Sequence, residues 1–411
     1  MAAAPSGELV SVGIGKETTP GVAATSTVFL IPSSSQFAGT NETMPRPGAR
    51  ARVGQTEEMI GLFTGTGTMN VEFDPDTAGA ILLLTCGAES IAANAANPSA
   101  LAVTTTNAGG ATPIGWGPMT PTAMTNIVKG QSLTVDTAGQ VETVVVKAIS
   151  STQFWAYFTK THANGVSISN AAVVLAQDHT FTLASPRKTF TTQINEIVAA
   201  RNCLGTQMSK LSLKLTPQAI LEAAMSCEYN SEAHVGSVTS PSYSVLNALS
   251  FITAGSGVTM NGVAIDSSVQ GFGFDIDLGL IKTYPKYGNG RLRQCPLPET
   301  QTIAAATMDL AFETETMRQQ FWGIPGATGP QSNVLSAPFV FTLNSDDMVN
   351  TAVPYSLKVI IPRGRITAGP VKHTAKDYLK QSVSIKCAES VNGAGDDIKF
   401  ILTNASSAAS F

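Results

Sequence analysis

Thr68-Met69-Asn70-Val71-Glu72-Phe73-Asp74-Pro75-Asp76-Thr77 returns 239 positions later as Thr307-Met308-Asp309-Leu310-Ala311-Phe312-Glu313-Thr314-Glu315-Thr316. Ten residues beyond each copy stands a Gly-Ala pair, Gly87-Ala88 and Gly326-Ala327. Six of the 21 aligned positions are identical, which points to a duplicated structural unit. In each copy three apolar residues (Met69, Val71, Phe73; Met308, Leu310, Phe312) alternate with small or polar ones. That period of two is the pattern of a half-buried strand. A helix N-cap follows, Asp76 or Thr77 in the first copy and Thr316 in the second. Short apolar helices are predicted over Ala78 to Cys86 and Met317 to Trp322, ending before Gly87 and Gly323. Each copy therefore reads as strand, tight turn and short helix.

The rest of the chain reads mainly as β. Leu211, Leu213 and Leu215 alternate with Lys210, Ser212 and Lys214, and Ala219 to Tyr229 reads as the next strand. Phe272, Phe274, Ile276 and Leu278 alternate with Gly273, Asp275 and Asp277. Phe339–Leu343, Leu357–Ile361, Val383–Cys387 and Ile398–Leu402 are further strands. Residues 97–182 look inserted, with strands at Ser132–Asp136, Glu142–Ile149 and Gln153–Thr159. Val144, Val145, Val146, Phe154, Trp155, Tyr157 and Phe158 would give them a small core, and Asn97 to Thr120 reads as an extended linker. Residues 1–67 hold little regular pattern. A loop is expected over 34–67, with a basic cluster at Arg46, Arg50 and Arg52. Its apolar segment Met59, Ile60, Leu62 and Phe63 is expected to order against a neighbouring subunit, because it is too apolar to be left in water.

Charged residues make up only 13% of the 411, about half the usual share. Extensive subunit burial would produce a surface so poor in charge, and so would a plain Thr/Ala-rich β protein; composition alone does not separate them. The net charge of −4 argues against a broad basic face for nucleic acid. No run approaches the roughly 18 apolar residues of a spanning helix. Five cysteines without a CxxC pair suggest neither a disulfide framework nor a zinc site, and Cys227 and Cys387 are expected to be buried free thiols. The N-terminal residues lack the basic and apolar regions of a secretory signal, so assembly in a reducing cytoplasm is expected.

Chemistry is hard to find. His162, His179, His234 and His373 show no metal-binding spacing. Gly13-Ile14-Gly15-Lys16 lacks the spacing of a phosphate-binding loop and reads as a loop. Asp275 and Asp277 share one strand face, whereas a glycosidase usually draws its two carboxylates from separate segments. No catalytic, cofactor-binding or metal-ligating residue is assigned, and no enzyme is expected.

Taken in order, Val12-Gly13-Ile14-Gly15-Lys16-Glu17-Thr18-Thr19-Pro20-Gly21, Gly65-Thr66-Gly67 running into the first copy, Cys86-Gly87-Ala88, Leu204-Gly205 and Leu211-Ser212-Leu213 resemble the tail tube (major tail) proteins of long-tailed, non-contractile bacteriophages. The resemblance implies a β-sandwich or barrel-like tube domain with a flanking helix. Subunits of that family form stacked rings whose inner strands join into one β-barrel around a channel. It implies residues 1–96 and 183–240 as one tube domain, 97–182 as a small β domain on the outer surface, and 241–411 as a second tube domain. Three such chains, or six if the repeat is coincidental, would close a ring. Implied partners are further copies of the chain, the tape-measure protein, tail terminator and distal tail proteins, and DNA in transit without specific binding. The expected place is the virion tail, with no membrane and no cofactor. Lys210 and Lys214 would oppose passage of DNA if they faced the channel unpaired. Another β-rich virion or decoration protein, or a virion-associated carbohydrate hydrolase, remain the alternatives.

Overall fold

The computed structural model describes residues 10–44, 58–96, 103–170, 175–243, 249, 253–372 and 379–410, apart from 113, 138, 186, 197–198, 217–218, 237–238, 254, 266–268, 283–284, 286–289, 301, 314, 333–335, 351, 370 and 388–397. The chain is mainly β. It opens with β1 (Ser11–Lys16), β2 (Val28–Leu30), β3 (Pro32–Met44), β4 (Met59–Glu72), α1 (Ala78–Cys86) and β5 (Gly87–Ala93). Seven short strands follow: β6 (Thr104–Thr106), β7 (Gly115–Met119), β8 (Ser132–Val135), β9 (Glu142–Val145), β10 (Ala148–Ile149), β11 (Phe154–Phe158) and β12 (Ser167–Asn170). Then come β13 (Gln177–Leu183), β14 (Phe190–Asn195), β15 (Ala200–Leu215), β16 (Glu222–Tyr229) and β17 (Ser231–Val235). The last stretch holds β18 (Gly257–Met260), β19 (Val263–Ala264), β20 (Val269–Asp277), β21 (Ile303–Ala311), α2 (Thr316–Trp322), β22 (Ala337–Met348), β23 (Pro354–Ala368), β24 (Val371–Lys372), β25 (Lys380–Cys387) and β26 (Lys399–Asn404).

The two repeats read in the sequence are β4–α1 and β21–α2, and the likeness runs further than the sequence match. Seven antiparallel pairings recur in the two halves. β1·β2, β1·β14, β14·β15, β15·β17, β15·β16, β16·β4 and β4·β3 have as counterparts β18·β19, β18·β22, β22·β23, β23·β26, β23·β25, β25·β21 and β21·β20. β15 and β23 are long because each serves two neighbourhoods: the first half lies between β14 and β17, or β22 and β26, and the second half joins β16 or β25. One apolar core of Leu, Ile, Val, Phe and Met underlies both halves.

All nine residues of α1 are buried, consistent with its being apolar all round. Thr77 occupies its N-cap position without a side-chain cap bond; its hydroxyl instead donates to Asp74 O. At the other end Gly87 adopts φ 93° and returns its N–H to Leu83 O. Gly323 ends α2 in the same way, bonding to the carbonyls of Gln319 and Gln320.

Three readings of the sequence are corrected. Gly13-Ile14-Gly15-Lys16 is no loop but the buried strand β1, paired with β14 and β2. Its glycines are needed because the chain folds back onto it: a Cβ on Gly15 would stand 2.2 Å from Thr25 O. Residues 32–44 and 59–67 are not a loop either but the two arms of the β3–β4 hairpin; Arg46, Arg50 and Arg52 lie outside the described residues. The stretch read as a linker, 97–120, contains β6 and β7.

Strands β6–β12 form two small sheets, β10–β11–β7 and β6–β12–β8–β9, over a core of their own. Val144, Val146, Phe154 and Phe158 are buried there, whereas Val145 and Tyr157 are exposed. Residues 177–182 do not belong with this module, since β13 pairs with β5 and β26 of the main sheet. Lys147 reaches out of the module to Asp347 of β22.

β13 also carries a buried charge clamp. His179 is 1% exposed, with Glu89 Oε1 2.7 Å from Nδ1 and Ser406 O 2.9 Å from Nε2. Burial disfavours the imidazolium, but two acceptors flanking the ring outweigh it, and the His179 pKa is raised above 6.5. Burial likewise disfavours the Glu89 carboxylate, but bonds from His179 and Ser410 outweigh it and lower its pKa below 4.5. The histidine's contribution to stability is complete below 6.5 and lost as pH rises through its raised pKa; that of Glu89 is present above 4.5 and lost as pH falls through its lowered pKa. The melting-temperature gap between wild type and His179→Gln is therefore expected to be widest between those two values and to narrow at pH 9. A gap that widens with pH would refute this reading of the clamp.

Candidate functional site

Eight strands run side by side in the order β3–β4–β16–β15–β20–β21–β25–β23, drawn from both halves. One face is core: Met69, Val71, Met225, Leu211, Leu213, Phe274, Ile276, Met308, Val383 and Ile385 are buried. The alternation of each strand then dictates the other face. It carries Thr66, Thr68, Asn70 and Glu72 on β4, Glu222, Ala224 and Ser226 on β16, and Lys210, Ser212 and Lys214 on β15. Next come Gly273, Asp275 and Asp277 on β20, Ala305, Thr307 and Asp309 on β21, Lys380, Ser382, Ser384 and Lys386 on β25, and Arg365 and Thr367 on β23.

This face is hydroxyl-rich and its charges balance: Glu72, Glu222, Asp275, Asp277 and Asp309 against Lys210, Lys214, Lys380, Lys386 and Arg365. Both lysines singled out in the sequence lie on it. Lys210 pairs with Asp275 at 3.1 Å across the β15–β20 junction, and Lys214 stands directly opposite Glu222. Each such exposed pair contributes little to stability but cancels charge locally. Asp277 accepts from Gly279 N at 2.9 Å. Glu72 lies opposite Glu222; partial burial, then the nearby carboxylates of Asp74 and Glu222, raise its pKa. The face is hollowed along β15, β20, β21 and β25, where Lys214, Asp275, Thr307, Asp309 and Lys380 line a concavity.

The apolar residues expected at a subunit contact begin β4. Met59 and Ile60 are exposed at the end of the β3–β4 hairpin, 49% and 60% respectively. Leu62 is half-buried. Phe63 is held within the chain, its ring 6.2 Å from that of Tyr229 and its N–H donating to Arg291 O.

Sequence reading missed a buried arginine that helps bind the two halves together. The connector from β20 to β21 crosses the first half, and Arg293 within it is 1% exposed. Its guanidinium donates to Glu228 Oε2 (3.1 Å), Lys282 O (2.7 Å), Gly65 O (3.0 Å) and Tyr229 O (2.6 Å). No local pattern marks such an arginine. A second buried hub is Glu17, whose carboxylate accepts from Gly21 N (2.7 Å), Thr191 Oγ1 (3.0 Å) and Gly205 N (2.8 Å).

Burial pushes the thiols of Cys86, Cys203 and Cys295 up to about 12, so they are poor nucleophiles. What the geometry offers is an extended polar sheet face with two open ends, in a chain built twice over. No curated protein matches the chain. The family model for phage tail tube proteins matches residues 7–352, most of its length. The chain belongs to the phage tail tube protein family.

Proposed function

We propose that three copies of the chain close a ring of pseudo-sixfold symmetry, that rings stack into the tail tube, and that the polar face of the eight-strand sheet lines its channel. The two halves, the first of them interrupted by the β6–β12 module, act as two tube domains, and that module sits on the outer surface. The tube houses the tape-measure protein during assembly, is capped by tail terminator and distal tail proteins, and conducts DNA to the host. The role is mechanical. The observation that carries it is the charge balance on a hydroxyl-rich concave face: five acids stand against five bases, Lys210 is paired with Asp275 and Lys214 stands opposite Glu222, so that, although Lys386 lies opposite Arg365, the face as a whole gives phosphates no net positive surface to bind, and DNA slides. Exposed Met59 and Ile60 serve contacts between neighbouring subunits.

A phage carrying Asp275→Lys with Asp309→Lys tests this. Both positions are on the polar face, so tubes are expected to assemble normally. DNA ejection from purified virions is expected to slow about tenfold or more at low salt, recovering as salt rises. Unchanged ejection kinetics at low salt, from tubes of normal length, would refute the channel assignment.

A further inference from the structure

The correspondence between the halves is fixed residue by residue by two β-bulges. β3 shifts register between Pro32 and Ser34, opposite Val71 and Asn70. β20 shifts between Val269 and Gly271, opposite Leu310 and Asp309, the repeat counterparts of Val71 and Asn70. β15 shifts between Met208 and Lys210, opposite Cys227 and Ser226. β23 shifts between Ile366 and Ala368, opposite Ile385 and Ser384, which pair with β21 as Cys227 and Ser226 pair with β4. β24 continues β23 against β25 in the same register. Phe37 of β3 is thereby the counterpart of Phe274, and Val371 and Lys372 are the counterparts of Leu213 and Lys214.

Within the eight-strand face, one pairing among the described residues has no counterpart: β15 with β20, from Lys210↔Asp277 to Leu215↔Phe272. The counterparts of its two edges are β3 and the end of β23 with β24. Among the described residues β3 pairs only with β4, and β23 beyond Gly364 pairs, like β24, only with β25. β3 is exposed along almost its whole length, with Phe37 its one buried residue, and the Arg201 guanidinium donates to its backbone at Phe37 O (2.9 Å). An open strand edge this long is a template for another strand.

We infer that these edges meet between neighbouring copies of this chain, and that the seam repeats the internal register: Ala368 opposite Thr40, Val371 opposite Phe37 and Lys372 opposite Gln36 of the next copy. Val371 then covers Phe37 as Leu213 lies opposite Phe274. A slip by one residue would turn Phe37 against a polar position, so the register is specified. The same edge-to-edge step, repeated head to tail, closes a ring. This inference rests on the proposed tube assembly.

Cysteine pairs in assembled tubes test it. Ala368→Cys with Thr40→Cys is expected to give covalent oligomers on mild oxidation, read on a non-reducing denaturing gel, because opposed Cα atoms lie about 4.5–5.5 Å apart. Ala368→Cys with Gln36→Cys is displaced by about 13 Å and is expected to give none. Lys210→Cys with Asp277→Cys is the internal control and is expected to cross-link within one chain; the wild type, with its native cysteines, is the blank. Cross-linking of the displaced pair, or silence of the matched pair while the tubes and the control behave, would overturn the register and leave the tube reading intact. Failure of the wild type to form tubes would overturn that reading itself, and the seam with it. If a variant does not assemble, hydrogen exchange on wild-type tubes decides: amides of Phe37 to Thr40 are expected to exchange more slowly than in the free subunit, and equal rates would overturn the seam.

Discussion

Arg293→Met is expected to cost about 3–5 kcal/mol, the usual result of leaving one partner of a buried ion pair alone. Glu228, 2% exposed, would keep only the Lys282 ammonium at 3.0 Å, and that side chain is 60% exposed. The carbonyls of Gly65 and Tyr229 would lose a charged donor in a site that water does not reach. Methionine replaces the stem and none of the donors. Urea unfolding measures the loss, with Lys282→Ala as comparison, which is expected to cost less than about 1 kcal/mol because its charge is solvated. A loss below about 1 kcal/mol for Arg293→Met would show that the connector is not anchored by this arginine. The consequence reaches the sheet: Gly65 is on β4 and Tyr229 on β16, so the anchor binds the second half across two strands of the first. Glycine is required at 65, where a Cβ would stand 2.2 Å from the Tyr229 ring.

Glu17→Ala is expected to cost about 2–5 kcal/mol, since two backbone N–H groups and one hydroxyl lose a buried charged acceptor at about 1–3 kcal/mol each before relaxation. The carboxylate joins three segments: its own turn through Gly21, β14 through Thr191, and β15 through Gly205. Gly205 presents its N–H from φ 61°, which favours glycine. Glu17→Gln keeps one acceptor oxygen for Thr191 and Gly205 but turns an amide towards the Gly21 N–H, so an intermediate loss is expected. Chemical denaturation gives the energies, and exchange of the Gly21 and Gly205 amides identifies the site. Loss of stability without faster exchange at those amides would place the damage elsewhere.

The sequence was most legible where one strand face is buried. In β4, β15, β20 and β21 the apolar residues alternate cleanly, and strands and polar face follow from the period of two. It was least legible at β3, where Phe37 is the one buried residue of thirteen and no alternation exists to be read. β1 was missed because Gly13 and Gly15 read as turn residues, although their lack of a side chain is what lets residues 24–29 pack against the strand. Val12 to Gly21 and Leu204-Gly205 are separate parts of the family resemblance in the sequence; the structure joins them through Glu17. For Lys210 the partner Asp275 lies on the other half of the chain, and only the β15–β20 pairing brings them together. Arg293 had no readable signal at all, because what identifies it is burial against segments more than sixty residues away.

A cryo-electron microscopy map of the assembled protein, at a resolution that shows side chains, decides whether the polar face lines a channel. Hollow tubes of stacked three-chain rings are expected, with Lys210, Asp275, Thr307 and Lys386 bordering an open axial channel. A particle without a channel, or a tube that carries this face on its outside or buried between copies, would contradict it.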